Sequence, residues 1–391
     1  DGTSVQEDDE QIHGYEGMHD IQPVLAKQHN ENPKDVLKHH YATFCQPEFW
    51  LDKPRTTPEL HDLDLQLTAS KMGNFTEGWR LSQKLEQEEP NNHRAAYNRG
   101  WYLLRQGEIQ KGYQLMDRGR IEGVFGNTIP DAPTGPWDGK TKGTVLLYLE
   151  GGLGDQIHQV RYAKAIAAKG CKVVVGCSGS LASLFVDVEG VSSVAQHEAC
   201  FGTYHDFYVQ GMSAVVPLGF ELTDLTGEAY ITKPKTIKGY RKRIGLRWQG
   251  QSAFEHEHHK KFPYELMFEA LKDVDAEFIS LQRDEGAEAC PEWVEQVPLN
   301  TWEDTRQAAA SCDLVISSCT SVSHLSAAMG VETWVVTPVM PYFLYAQEGD
   351  TCPYYDTMKL MRQESFGDWK APFARIKKSL NEKKQALRRV K

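Results

Sequence analysis

The chain has 391 residues, 40% hydrophobic and 25% charged, the balance of a soluble globular protein long enough for two or three domains. A net charge of −11 and a pI near 5.7 argue against a general nucleic-acid binder, whose footprint is a basic face. No apolar run approaches the ~20 residues that span a bilayer, and the eight cysteines contain no CxxC pair, so they read as free thiols of a reducing compartment.

Residues 1–55 read as a polar, acidic arm, partly disordered or helical. Asp1 to Asp20 hold seven acidic residues and no Lys or Arg, the opposite of a signal peptide's basic start, and a cytoplasmic location is expected. Residues 56–125 carry a helical pattern. Leu63, Leu67 and Met72 mark one helix, stopped at Gly73-Asn74; Trp79, Leu81 and Leu85 mark a second that ends before Pro90. Ala95 to Leu104 and Ile109 to Met116 follow, separated by Gly107. Pro90-Asn91-Asn92, Tyr97-Asn98-Arg99-Gly100 and Gly112-Tyr113 resemble the tetratricopeptide repeat, a helix–turn–helix unit of ~34 residues. Fewer than three such units are legible, so this segment is expected to pack on its neighbour.

Residues 126–143, with three prolines and four glycines, read as a linker. Thr144 to Leu149 is then a near-continuous apolar run, the signature of a buried parallel strand. A glycine-rich turn and a helix over Gln156 to Lys169 follow, with strands at 171–175, 191–195 and 206–209. A second α/β unit opens at Arg243 and spans 241–370. Its strands are expected at 243–248, 277–281, 313–317 and 333–337, its helices at 264–271, 303–311 and 321–329. Strand–helix alternation predicts two Rossmann-like units with parallel sheets, 144–240 and 241–370. Ligands of such units sit at the carboxyl ends of the strands. Residues 371–391 predict a basic amphipathic helix: Arg375 to Lys391 holds eight basic residues against one acidic. It either packs on the body or touches a membrane surface.

Three strand-end loops could carry chemistry. Glu150-Gly151-Gly152-Leu153-Gly154-Asp155-Gln156 places glycines and an acid at a helix start, where a ligand can approach the backbone and negative charge is favoured. It is neither GxGxxG nor a P-loop, and Asp155 fits a helix-cap role as readily as a chemical one. Ser317 to His324 gathers five hydroxyls, Cys319 and an imidazole at another helix start, a composition suited to a diphosphate. Trp248-Gln249-Gly250 begins the third loop, which ends in Lys260-Lys261-Phe262-Pro263. Its His256, His258 and His259 match no metal-ligand spacing and read as solvated.

In order and spacing, these motifs resemble the tetratricopeptide-containing glycosyltransferase-like proteins of bacteria and phages. That family is related to the lipopolysaccharide heptosyltransferases and, more distantly, to the O-linked N-acetylglucosamine transferases. The resemblance rests on Val145 to Tyr162, Ile244 to Gly250, Lys260 to Pro263, Asp313 to Gly330 and Trp334 to Pro338, followed by Trp369 and a terminal helix, and covers roughly residues 60–375. It implies an α/β GT-B-like pair of Rossmann-like units, acceptor side first and sugar-nucleotide side second, behind a short all-α segment. It also implies inverting sugar transfer from a nucleotide-sugar without metal or cofactor, to a hydroxyl of a glycan, lipid-linked sugar or protein. Asp155 matches the general base of the heptosyltransferases, and Lys260 the cation that meets the donor phosphates. Thr320, Ser321 and His324 match the diphosphate loop. Trp248, Gly250 and Cys319 fall among the donor-side residues, and Gly151, Gly152, Gly154 and Gln156 within the glycine-rich loop. Cys319 departs from the family, which carries aspartate there. That departure supports a competing expectation: a catalytically degenerate scaffold that binds nucleotide, or a protein partner through the helical repeats.

Overall fold

The chain is described here by a computed structural model covering residues 61–127, 132–237, 239–251 and 260–389. The arm 1–55 and His256, His258 and His259 lie outside the described residues. Four helices come first: α1 (Asp62–Lys71), α2 (Phe75–Glu88), α3 (His93–Arg105) and α4 (Ile109–Met116). Asparagine caps start two of them. Asn74 Oδ1 accepts the Glu77 N–H at 3.2 Å, and Asn92 Oδ1 accepts the Ala95 N–H at 2.9 Å. α1 pairs with α2 and α3 with α4. Gly100 makes the second pairing close, since a Cβ there would lie 2.7 Å from the Gly112 carbonyl oxygen.

The first α/β unit holds β1 (Gly135–Pro136), β2 (Thr144–Tyr148), α5 (Leu153–Gln159), α6 (Tyr162–Ala168) and β3 (Lys172–Cys177). It continues through α7 (Ala182–Phe185), β4 (Val191–Gln196), α8 (His197–Cys200), β5 (Phe207–Gln210) and α9 (Val215–Leu218). Its sheet is parallel, in the order β1-β5-β2-β3-β4. Two details differ from the sequence expectation. The 126–143 stretch contributes an edge strand, with Gly135 and Pro136 in register with Phe207 and Tyr208. The helix expected over 156–169 starts earlier and is divided, its ladder tightening to an Ala163 N–H→Val160 O bond of 3.1 Å. At that break the Arg161 side chain turns to the other unit.

The second unit holds β6 (Arg243–Arg247), α10 (Tyr264–Leu271), β7 (Glu277–Ser280), β8 (Glu295–Gln296), α11 (Trp302–Ala310) and β9 (Leu314–Ser318). α12 (Ser321–Ala328), β10 (Thr333–Thr337), β11 (Thr351–Cys352), β12 (Tyr355–Arg362) and α13 (Lys370–Arg389) complete it. The strand order is β11-β12-β10-β9-β6-β7-β8, parallel except for β11 against β12. Thr301 caps α11 reciprocally with Asp304, through bonds of 2.9 and 3.1 Å. The apolar side of α13 packs on the body: Phe373, Ile376 and Leu380 are buried, and Phe373 meets Phe262 edge-on at 4.9 Å. Among the described residues no helix is long and apolar enough to cross a membrane.

The helical hairpins share one core with both units, from Trp101 and Met116 through Val145 and Ile157 to Val315 and Leu325. Polar contacts fix the docking. Trp101 Nε1 donates to the Pro341 carbonyl at 3.0 Å, Gln110 Nε2 to the Val215 and Phe220 carbonyls at 2.7 and 2.9 Å, and the Tyr113 and Tyr354 hydroxyls lie 2.9 Å apart. A buried ion pair anchors the far end. The Glu150 carboxylate, at the foot of the glycine-rich loop, accepts from the Arg120 guanidinium, the Asn127 N–H (2.9 Å), Gln210 Nε2 (3.0 Å) and the Met212 N–H (3.1 Å). A wholly buried charge is tolerated only when so fully bonded.

Candidate functional site

The carboxyl ends of β2, β6, β9 and β10 open on one cavity of about 680 Å³. Its floor is made where two helix starts meet. Gly152 and Thr320 occupy the N-cap positions of α5 and α12. A Cβ on Gly154 would lie 3.1 Å from both the Ser321 Cα and His324 Cδ2, so the absence of a side chain there lets the helices touch. The unbonded amides of a helix's first turn and its dipole both favour an anion in front of it.

Asp155 lies on this floor, half-buried. Its Oδ2 accepts the Gly152 N–H at 2.9 Å, and its Oδ1 accepts the Tyr342 hydroxyl at 2.6 Å. Burial raises its pKa above the ordinary carboxylate value, opposed by those two hydrogen bonds and by the nearby Lys260 charge. Burial and the adjacent Asp155 carboxylate push the Tyr342 phenol well up, so it stays protonated and donates. The Lys260 ammonium donates to the Cys319 carbonyl at 2.9 Å, which brings it to the entrance of α12. Gly250, Cys319, Thr320, Ser321 and His324 also line the cavity, as do Gly152 and Gly154.

His324 is held from both sides of its ring. Its Nδ1 lies 2.9 Å from the Tyr355 hydroxyl and its Nε2 3.5 Å from the Tyr345 hydroxyl, so phenols meet both ring nitrogens. Burial, with Arg161 and Lys260 near, brings its pKa down to about 3. The ring is therefore neutral at physiological pH. Behind it lies a cluster shared by the two units. His158 on α5 is held neutral by burial, with Tyr355 3.4 Å from its Nδ1. The Arg161 guanidinium donates to the Tyr354 carbonyl at 2.6 Å and lies 4.5 Å from the Tyr230 and Tyr355 ring centres.

Three of the sequence-selected residues are not on the cavity wall. Trp248 is fully buried, its Nε1 donating to the Gly286 carbonyl at 3.0 Å and its ring 5.1 Å from Phe268. An indole there fills the core and holds the loop that carries Gly286. Gln156 is buried too and fastens the glycine-rich loop to the end of β3, accepting the Ser178 N–H at 2.8 Å and donating to Ser178 Oγ at 2.9 Å. Gly151 supplies the positive φ (72°) of the turn and accepts from Gln156 Nε2 at 3.2 Å.

Sequence reading missed other residues of the cavity. Tyr342 follows β10 in Pro341-Tyr342-Phe343, and its place after a parallel strand's carboxyl end was the available signal. Arg247 is buried at the end of β6 and donates to the Leu281 carbonyl at 3.3 Å and Asp284 Oδ2 at 3.4 Å. The helical segment also reaches the cavity, with Lys71, Arg94, Tyr97, Asn98 and Trp101. Five basic side chains (Lys71, Arg94, Arg247, Lys260, Arg283) thus face two acidic ones, Asp155 and Asp284, in a chain whose net charge is −11. Among the described residues, no group of three or more His, Cys, Asp or Glu is placed to hold a metal ion.

No family model and no curated protein matches the chain. Among solved structures it is similar to a family 9 glycosyl transferase from Veillonella parvula, at 10% identity and a TM-score of 0.45, over 58% of this chain and 88% of that one. It is also similar to the E. coli ADP-heptose LPS heptosyltransferase II, at 12% identity and a TM-score of 0.43, over 62% of this chain and 98% of that one. A Thermobaculum terrenum O-GlcNAc transferase variant aligns over 97% of this chain and 91% of its own, at 10% identity and a TM-score of 0.30.

Proposed function

We propose that this chain is a glycosyltransferase that takes a nucleotide-sugar donor and passes the sugar to an acceptor hydroxyl with inversion. One observation carries the reading: an acid on the α5 start and the hydroxyl-rich α12 start are pressed together on the floor of a cation-rich cavity. Transfer needs a proton acceptor on one side of an anomeric carbon and anion stabilisation on the other.

The acceptor oxygen forms a bond to the anomeric carbon as the bond from that carbon to the diphosphate oxygen breaks. The hydroxyl proton passes to Asp155, and the electron pair leaves with the diphosphate. A carboxylate with a raised pKa is the stronger base, and burial raises that of Asp155. Charge on the departing diphosphate is met by the first amides of α12, by Thr320 and Ser321, and by Lys260. Cations so placed do the work that a divalent metal does elsewhere. The neutral His324 lines this site and ties α12 to Tyr355 and Tyr345 through its ring nitrogens.

A second reading is a nucleotide-binding or protein-binding scaffold without turnover. It is favoured by the hydrogen bonds that already occupy both Asp155 oxygens, one of them the helix-cap bond from the Gly152 N–H and the other from the Tyr342 hydroxyl, and by Cys319 where the resembled family has an acid. Nucleotide release decides between them. The purified full chain is incubated with UDP-, GDP-, ADP- and CMP-sugars, with and without glycan acceptors. Sugar transfer or donor hydrolysis that falls about 10²–10⁴-fold in Asp155→Asn, with donor binding kept, supports the enzyme. A donor that binds and is never consumed supports the scaffold.

A further inference from the structure

We propose that the wall built by the helical segment, centred on Arg94, is the acceptor subsite of this cavity and takes an acceptor carrying an anionic group, a phosphate or a carboxylate. The inference deepens the glycosyl-transfer reading and rests on it for the word acceptor. The anion site itself depends on the residues of the wall alone.

The cavity's cations stand on different elements. Arg247, Lys260 and Arg283 belong to the second α/β unit, around the α12 start, whereas Arg94 and Lys71 rise from α3 and α1. Arg94 is half-buried at the cavity, and its Nε is buried with no hydrogen-bond partner among the described residues. Its guanidinium carbon lies 5.8 Å from the Tyr97 ring centre, and no carboxylate among the described residues pairs with it. A guanidinium held against a ring and left without an acid partner costs stability unless something else supplies the acceptor oxygens. Its planar fork matches the two oxygens of a carboxylate or phosphate.

The neighbours fit a sugar next to that anion. Trp101 is fixed by its bond to the Pro341 carbonyl at 3.0 Å, so its ring is a rigid face on the same wall as Tyr97. Asn98 is buried and oriented by donating to Gln66 Oε1 at 2.9 Å. Rigid aromatic faces with a few fixed polar groups are the usual lining of a small-ligand site. Asp155 lines this cavity as well, so a molecule held by Arg94 and one held at α12 would occupy the same cavity as that carboxylate.

The test is calorimetric titration of the full chain with glucose, glucose 6-phosphate and glucuronate, each with and without saturating UDP or ADP. Both anionic sugars are expected to bind at least about tenfold more tightly than glucose, as a charge-assisted pair requires. Binding should persist with nucleotide present, and Arg94→Ala should remove the preference while Arg94→Lys restores part of it. Equal affinity for all three sugars overturns the subsite. So does competition between nucleotide and anionic sugar, or an Arg94→Ala variant that weakens the nucleotide instead, since either puts Arg94 in the donor site. Tight anionic-sugar binding without any nucleotide binding supports the subsite and sinks the donor reading, so the two failures are told apart.

Discussion

The Tyr342 hydroxyl donates to Asp155 Oδ1 at 2.6 Å, joining the loop after β10 to the first turn of α5. A phenol donating to a carboxylate stabilises the ionised form. Tyr342→Phe therefore raises the Asp155 pKa further, and the acid limb of the pH–rate profile moves to higher pH. Turnover in the variant is lost at a higher pH than in wild type and recovers as pH rises. An acid limb left in place would mean that Asp155 does not set the rate.

The same shift makes a stability prediction. The folded pKa of Asp155 lies above its unfolded value because burial dominates. Its contribution is then fully favourable below the unfolded value near 3.8 and is lost as pH rises through the folded one. Asp155→Asn should melt at or above wild type at pH 7 and lose that advantage in acid, since Asn accepts the Gly152 N–H nearly as well. Thermal melts across pH check the sign. A variant less stable than wild type at pH 7 would mark Asp155 as a structural cap.

Gly154 separates packing from chemistry. Gly154→Ala places a methyl 3.1 Å from the Ser321 Cα and from His324 Cδ2, which pushes the α5 and α12 starts apart. Donor affinity should fall about tenfold or more, while stability drops by only ~1–3 kcal/mol, the usual cost of overpacking. Equal binding by variant and wild type would show that the two helix starts do not share a ligand.

Much of this arrangement was legible beforehand, because parallel strands buried on both faces write themselves as apolar runs. Thr144–Tyr148, Leu314–Ser318 and Thr333–Thr337 all fall where such runs placed them. The β11–β12 hairpin was missed, since Tyr355–Arg362 is neither a continuous apolar run nor a regular alternation of buried and exposed residues. Glycines and hydroxyls at strand ends flagged the cavity floor. Arg94 and Tyr342 reach the cavity only through the docking of separate elements, and no local pattern reports that. Trp248 looked like a site residue by position, yet its ring lies in the core.

Arg120 and Glu150 hold the helical segment to the base of the glycine-rich loop. Arg120→Met leaves a carboxylate with no exposure and no counter-charge, and should cost about 3–5 kcal/mol in urea unfolding. Pairing it with Glu150→Leu should recover part of the loss, because the stranded charge goes too. A single variant as stable as wild type would contradict the anchoring role.

His324 gives an acid-side signature. Its folded pKa of about 3 lies below its ordinary 6.5, so the unfolded chain binds the proton more readily and stability falls as pH drops between those values. His324→Gln removes the proton site and keeps a donor and an acceptor for Tyr355 and Tyr345. Its stability should decline less steeply from pH 6.5 downward. An unchanged slope would mean that the ring is not buried in its neutral form.

The most direct test of the donor site is calorimetric titration of the full chain with UDP-, GDP-, ADP- and CMP-sugars, in wild type and Lys260→Ala. The account predicts that at least one donor binds at micromolar to low millimolar concentration. Lys260→Ala should weaken it about tenfold or more, as loss of a charge-assisted phosphate contact does. No binding by any of the four at millimolar concentration, or equal affinity in the two proteins, would contradict it.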